Sequence, residues 1–242
     1  MKFLPLTSRN FKEIYRDPVP MVFGTAMPVV LLLLFTSIGK KAPVEIFSPL
    51  MLVPAVAVFS FGFLIMFSAS LISRDRQTAF LTRLLMSPLK SSDFILAYLL
   101  AFFPLALLQS IVCFLVGTML GMAISWQIFL VLLFLLLLAV ACIGIGMILG
   151  SLGTENQVAM GGSILMVIIS LFSGAWMDLK MVGGIFKTVG YALPFAHVID
   201  GSRAILKGSF WSDISVEFYW VFGYALISII LGIIAFKWRM KQ

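Results

Sequence analysis

The chain has 242 residues, of which 62% are hydrophobic and only 11% charged. A soluble domain of this length needs more charge to keep its surface wetted, so the bilayer is the main solvent for this fold. The formal net charge of +7 does not point to nucleic acid, because no polar domain exists to present such a surface.

The first eighteen residues, MKFLPLTSRNFKEIYRDP, carry charge throughout and lack an apolar run of signal-peptide length. Leu4, Phe11, Ile14 and Tyr15 fall near helical spacing, with the basic residues mostly between them. That pattern predicts a helix lying in the membrane interface within residues 1–19. Pro18 and Pro20 are expected to end it.

Six apolar spans follow: Pro20 to Ile38, Leu50 to Ile72, Phe94 to Leu120, Trp126 to Leu149, Val158 to about Trp176, and Phe218 to Phe236. In lipid each must satisfy its own backbone hydrogen bonds, which makes it a helix. The alternating short strands of a barrel are missing. Gly117 with Gly121 and Gly146 with Gly150 form G-x-x-x-G pairs, which let helices approach closely. Cys113 and Cys142 lie inside spans and read as small core residues.

An even number of spans places both termini on one side. That side carries eleven basic residues: Lys2, Arg9, Lys12 and Arg16 in the arm, Arg74, Arg76, Arg83 and Lys90 in the second-to-third loop, and Lys237, Arg239 and Lys241 in the tail. The other side carries six: Lys40, Lys41, Lys180, Lys187, Arg203 and Lys207. The excess predicts cytoplasmic termini in the inner (cytoplasmic) membrane of a cell.

The usual motifs of an enzyme or a pump are missing. Gly39-Lys40-Lys41 has neither the upstream glycine nor the hydroxyl of a phosphate-binding loop, so no ATP or magnesium site is expected on this chain. There is no H-E-x-x-H and no nucleophile elbow, and His197 has no evident catalytic partner. The spans are almost free of ionisable groups; Glu217 sits at the edge of the sixth and Glu155 in a short loop. That argues against an ion-coupled transporter and a charged-ring channel. Energy for any transport has to come from another chain.

Three segments carry more specific information. RDRQTAFLTRLLMSPLKSSDFILAYLL, from Arg74 to Leu100, starts with alternating charge and leads into Phe80, Leu81, Leu84 and Leu85 on one helical face, stopped by Pro88. GIGMILGSLGTENQVAMGGS, from Gly144 to Ser163, is a tight polar turn between two spans. SGAWMDLKMVGGIFKTVGYALPFAHVIDGSR, from Ser173 to Arg203, is too apolar for a wetted loop and too broken by glycine and proline for a span; re-entrant structure is the expected compromise. Asp200 and Arg203, three apart on a helix, are placed to pair.

Together these segments resemble the type-2 ABC transporter permeases, the membrane subunits of bacterial exporters. The resemblance implies one transmembrane domain over residues 1–242: an all-α integral membrane protein of six spans, with a cytoplasmic coupling loop at 74–92 and a re-entrant outer loop at 177–213. It implies that Arg74, Asp75, Arg76, Phe80, Leu81, Arg83, Leu84 and Leu85 dock a separate ATP-binding subunit that holds ATP and magnesium. Gln77 and Ala79 depart from the family pattern, which often has Glu and Gly there. A second permease copy, identical or similar, completes such an exporter, whose substrates are of drug, lipid, peptide or glycan type. Phe59, Phe63, Met66 and Phe67 share one face of the second span and suit an apolar substrate pathway; lipid-facing or packing roles are the competing reading. Asp200 and Arg203 are a candidate outer-loop pair. A non-transporting immunity-type or partner-binding membrane protein is the alternative function, with an ion channel behind it.

Overall fold

The computed structural model describes residues 3–41, 45–78, 91–209 and 211–239. Helix α1 spans Leu4–Arg16. The long helices are α2 (Pro18–Lys41), α3 (Pro49–Gln77), α4 (Ser91–Met119), α5 (Gln127–Leu152), α6 (Glu155–Phe172) and, after three short ones, α10 (Trp211–Arg239). The short ones are α7 (Leu179–Val182), α8 (Gly184–Ala192) and α9 (Pro194–Leu206). Among the described residues there is no strand, and six helices are long and apolar enough to cross a membrane. The chain is an all-α integral membrane protein.

The six expected spans all exist, with shifted ends. Asp17 leaves the helical conformation and closes α1, and Pro18 then opens α2. Pro20 therefore lies inside the first turn of α2 and does not end α1, as expected where a missing N–H is harmless. The fifth span stops at Phe172, four residues early, because Gly174 takes a φ of 75° that a continuing helix forbids. The sixth starts at Trp211, seven residues before the expected Phe218.

Helix α3 is the centre of the bundle and packs on α2, α4, α5, α6 and α9. Its contact with α5 rests on glycine. A Cβ at Gly146 would stand 2.6 Å from the Ile65 carbonyl oxygen, and one at Gly150 would stand 2.4 Å from the Ala69 carbonyl oxygen. Backbone meets backbone there, so Gly146 and Gly150 act as the sequence pattern suggests. The other pair divides: Gly117 receives Val53 of α3, whereas Gly121 ends α4 with a φ of 104° and nothing around its Cβ position. Between α3 and α6 the packing is reciprocal, with Met166 seated on Gly62 and Met66 on Gly162. Methionine fills such hollows and adapts when neighbours shift.

At the end of the bundle opposite α1, the 173–209 stretch carries the three short helices. Helix α9 is almost wholly buried among α3, α5 and α10. That is the arrangement a re-entrant segment needs, since its backbone bonds are internal and its side chains are covered by protein.

The α3–α5 seam gives a direct test. Gly150→Val drives a side chain into the Ala69 backbone and is expected to abolish folded protein, or to lower its stability by about 1–3 kcal/mol if the helices spread. Gly223→Ala meets nothing within 4 Å and is expected to be neutral. Thermal unfolding in detergent compares them; equal midpoints would contradict the seam.

Candidate functional site

Three places on the bundle carry side chains that packing alone does not explain. The first is the α1 end. Asp75, in the last turn of α3, is only 3% exposed. Its Oδ2 accepts from Arg9 Nη1 of α1 at 2.7 Å and from the Tyr98 hydroxyl of α4. Arg9 also pairs with Glu13 at 2.7 Å, and Arg74 reaches Asp17 at 3.5 Å. Arg76 Nη1 donates to the carbonyls of Gly150 at 2.7 Å and Gly153 at 3.2 Å, where α5 ends and its last acceptors lack helical partners. Ser73 adds a bond to the Gly153 carbonyl at 3.1 Å. Thr154 and Gln157 then start α6 with a reciprocal capping box.

Of the residues assigned to ATPase docking, Asp75 and Arg76 therefore have bonds within the bundle, and Arg74 is exposed beside Asp17. Phe80, Leu81, Arg83, Leu84 and Leu85 lie outside the described residues.

The buried face of α1 also differs from expectation. Leu6, Asn10 and Ile14 face inward, while Leu4, Phe11 and Tyr15 are exposed. Of the four apolar positions read from the sequence, only Ile14 turns to the protein. Asn10 was passed over because it is polar; its Oδ1 accepts from Arg9 at 3.0 Å, which offsets part of its burial.

The second place is the row on α3. Phe59, Phe63, Met66 and Phe67 do share a face. Phe67 and Phe63 stack at 6.2 Å between ring centres, and Phe63 meets Phe59 edge-on at 6.2 Å. Neighbours extend the row: Phe59 reaches Trp176 at 5.5 Å, Trp176 reaches Phe35 at 4.7 Å, and Phe23 of α2 flanks Phe63 at 6.3 Å. Each spacing lies in the favourable range for aromatic pairs. A cavity of about 310 Å³ bounded by Met66 and Phe67 lies at the α1 end of the row, and one of about 520 Å³ bounded by Trp176 and Met51 lies at the other. The sequence revealed the α3 face; Phe23, Phe35 and Trp176 were not legible, because their place in the row depends on helix pairing.

The third place is the far end. Asp200 and Arg203 do not pair. Asp200 accepts from the Tyr191 hydroxyl and stands 3.4 Å from Lys180 Nζ. Arg203 donates from Nε and Nη2 to the Met51 carbonyl at 3.2 and 3.1 Å, and from Nη1 to the Gly174 carbonyl at 3.4 Å. Its planar fork ties α9 to the start of α3 and to the hinge after α6, bonds that an i,i+3 pair would forgo. Burial pulls the Arg203 pKa down, against the opposing pull of Asp200 and Asp178. Burial, joined by the Asp200 bond, pushes the Tyr191 phenol up, so it stays protonated and donates. His197 Nε2 lies 3.0 Å from the Tyr191 carbonyl, a structural contact for the lone histidine.

Six apolar helices with α3 at their centre, and broken short helices at one end, define a polytopic membrane protein. A family model described as ABC-2 type transporter matches residues 1–207, and the chain belongs to that family. It is thus a permease subunit of an ABC transporter, a family that works with an ATP-binding subunit. No curated protein gives a significant match.

A double-mutant cycle on Asp200 and Arg203 tests the far-end geometry. Arg203→Ala removes its bonds to the Met51 and Gly174 carbonyls and is expected to cost about 1–3 kcal/mol. Adding Asp200→Asn should change stability with a coupling under about 1 kcal/mol, coming from their electrostatic attraction alone. A measured coupling above about 1 kcal/mol would show that the two side chains act as a pair.

Proposed function

We propose that the chain is one half of an ATP-driven exporter that moves an apolar or amphiphilic substrate out of the cytoplasm. The carrying observation is the aromatic row from Phe67 to Trp176, with a cavity at each end. A continuous ring surface offers an apolar molecule contact at every step without a deep trap. Basic residues gather at the α1 end, which supports a cytoplasmic position for it. ATP and magnesium belong to the partner ATP-binding subunit, and a second permease copy, identical or similar, completes the transporter.

Coupling enters through residues 74–92 in this reading. Phe80, Leu81, Leu84 and Leu85 fill a groove on the ATP-binding subunit, with Arg74 and Arg83 beside them. The force reaches α3 directly, because α3 leads into that segment. The methionine-on-glycine contacts between α3 and α6 suit two helices that must change their spacing. Arg203 holds the outer helices to α3, so a shift of α3 is passed to the exit side.

The test is docking. Burying one leucine is worth roughly 1.5–3 kcal/mol. Leu81→Asp or Leu84→Asp is therefore expected to weaken co-purification with the ATP-binding subunit at least tenfold and to stop export, while membrane insertion survives. Undiminished pull-down and transport in both variants would remove this segment from coupling. The partner-binding alternative predicts a stable complex with no ATP-dependent movement of any substrate.

A further inference from the structure

The cavity at the α1 end has two unlike walls. Met66, Phe67 and Leu71 of α3, with Phe102 of α4, make one side apolar. Glu13, Asp17 and Glu155 line the other, and among the described residues Arg74 is the one cation that lines it. The charges do not balance. Arg9 is shared between Asp75 and Glu13, and Arg74 stands by Asp17. Among the described residues, three carboxylates thus line the cavity against the single guanidinium of Arg74. Glu155 has no ion-pair or hydrogen-bond partner for its side chain among the described residues.

Burial pushes the Glu13 carboxyl up from its ordinary value despite Arg9 at 2.7 Å. Desolvation thus outweighs the pairing with Arg9, and a further cation beside Glu13 would favour its charged form. Lys12 and Arg16 lie on the neighbouring open hollow beneath α1 and are not among the residues that line this cavity.

We propose that this cavity binds a lipophilic cation, with an apolar ring or chain against Met66, Phe67 and Phe102 and one ammonium or other onium group among Glu13, Asp17 and Glu155. The volume of about 310 Å³ admits a small drug-sized body. The Phe67 ring adds a cation–π surface and begins the aromatic row. An anionic lipid headgroup would instead bring its phosphate against three carboxylates, and like charges at close range repel. The inference deepens the exporter reading by naming a substrate class, but binding itself needs no ATP-binding subunit.

The experiment uses the full chain in nanodiscs of zwitterionic phosphatidylcholine, with rhodamine 6G as the cationic probe and Nile red as the neutral one, read by fluorescence anisotropy. Glu155→Gln and Glu155→Lys are suitable variants, because this side chain is exposed and holds no hydrogen-bond or ion-pair partner among the described residues. Saturable rhodamine 6G binding that weakens with added salt, falls about tenfold in Glu155→Gln and further in Glu155→Lys is expected, with Nile red unchanged. Absent binding by the wild type, equal affinity in all three proteins, or tighter binding in Glu155→Lys would overturn the proposal. So would displacement of the dye by phosphatidylglycerol in preference to tetraphenylphosphonium. Adding the ATP-binding subunit separates the two claims. Cation binding without ATP-driven movement upholds the site and removes the exporter reading. ATP-driven movement of a neutral compound without cation binding removes the site alone.

Discussion

Asp75 places a carboxylate in the interior at the point where α3 is about to leave the bundle, and α1, α3 and α4 meet on it. A carboxylate taken out of water costs several kcal/mol unless it is paired and hydrogen-bonded. Arg9 supplies the opposite charge and Tyr98 a second donor, so the cost is offset only when all three helices are in place. The interaction is therefore a positional constraint more than a source of net stability. It fixes α1, which otherwise has short length and one narrow buried face, against a bundle held by apolar packing.

The same end is stitched a second time. Arg76, one residue on, bonds the carbonyls that close α5, and Ser73 bonds one of them. Residues 73–76, a single turn of α3, thus reach α1, α4 and the α5–α6 turn through polar bonds, while higher up the same helix meets its neighbours through glycine and methionine. The contrast is physical. Polar bonds with fixed geometry hold the base of α3, whereas its middle faces α6 through adaptable methionine-on-glycine contacts. On the proposed coupling reading, a push that enters through residues 74–92 meets this locked base of α3 first.

Hydropathy made the spans legible because lipid enforces apolar length residue by residue. Gly146 and Gly150 were legible for the same reason: in lipid, small residues at a spacing of four mark close helix contact. What stayed hidden were partners distant in sequence. Arg203 bonds a carbonyl 152 positions away, and Asp75 bonds Arg9 across 66. Nothing in the local pattern distinguishes those residues from surface charges. The Asp200–Arg203 spacing suggested the wrong partner, since i,i+3 proximity matters only when no better acceptor is in reach. The α3 stripe was visible as a face, but its meaning depends on Phe23 and Trp176, which other elements bring to it.

Hydrogen–deuterium exchange of the 4–16 segment, in nanodiscs, measures the central constraint most directly. If the Asp75 carboxylate pins α1 to α3 and α4, the wild type protects this segment, and Asp75→Ala loses that protection in α1 while the cores of α5 and α10 keep theirs. Equal protection of α1 in both proteins would contradict the account, because apolar packing would then hold α1 without the buried carboxylate.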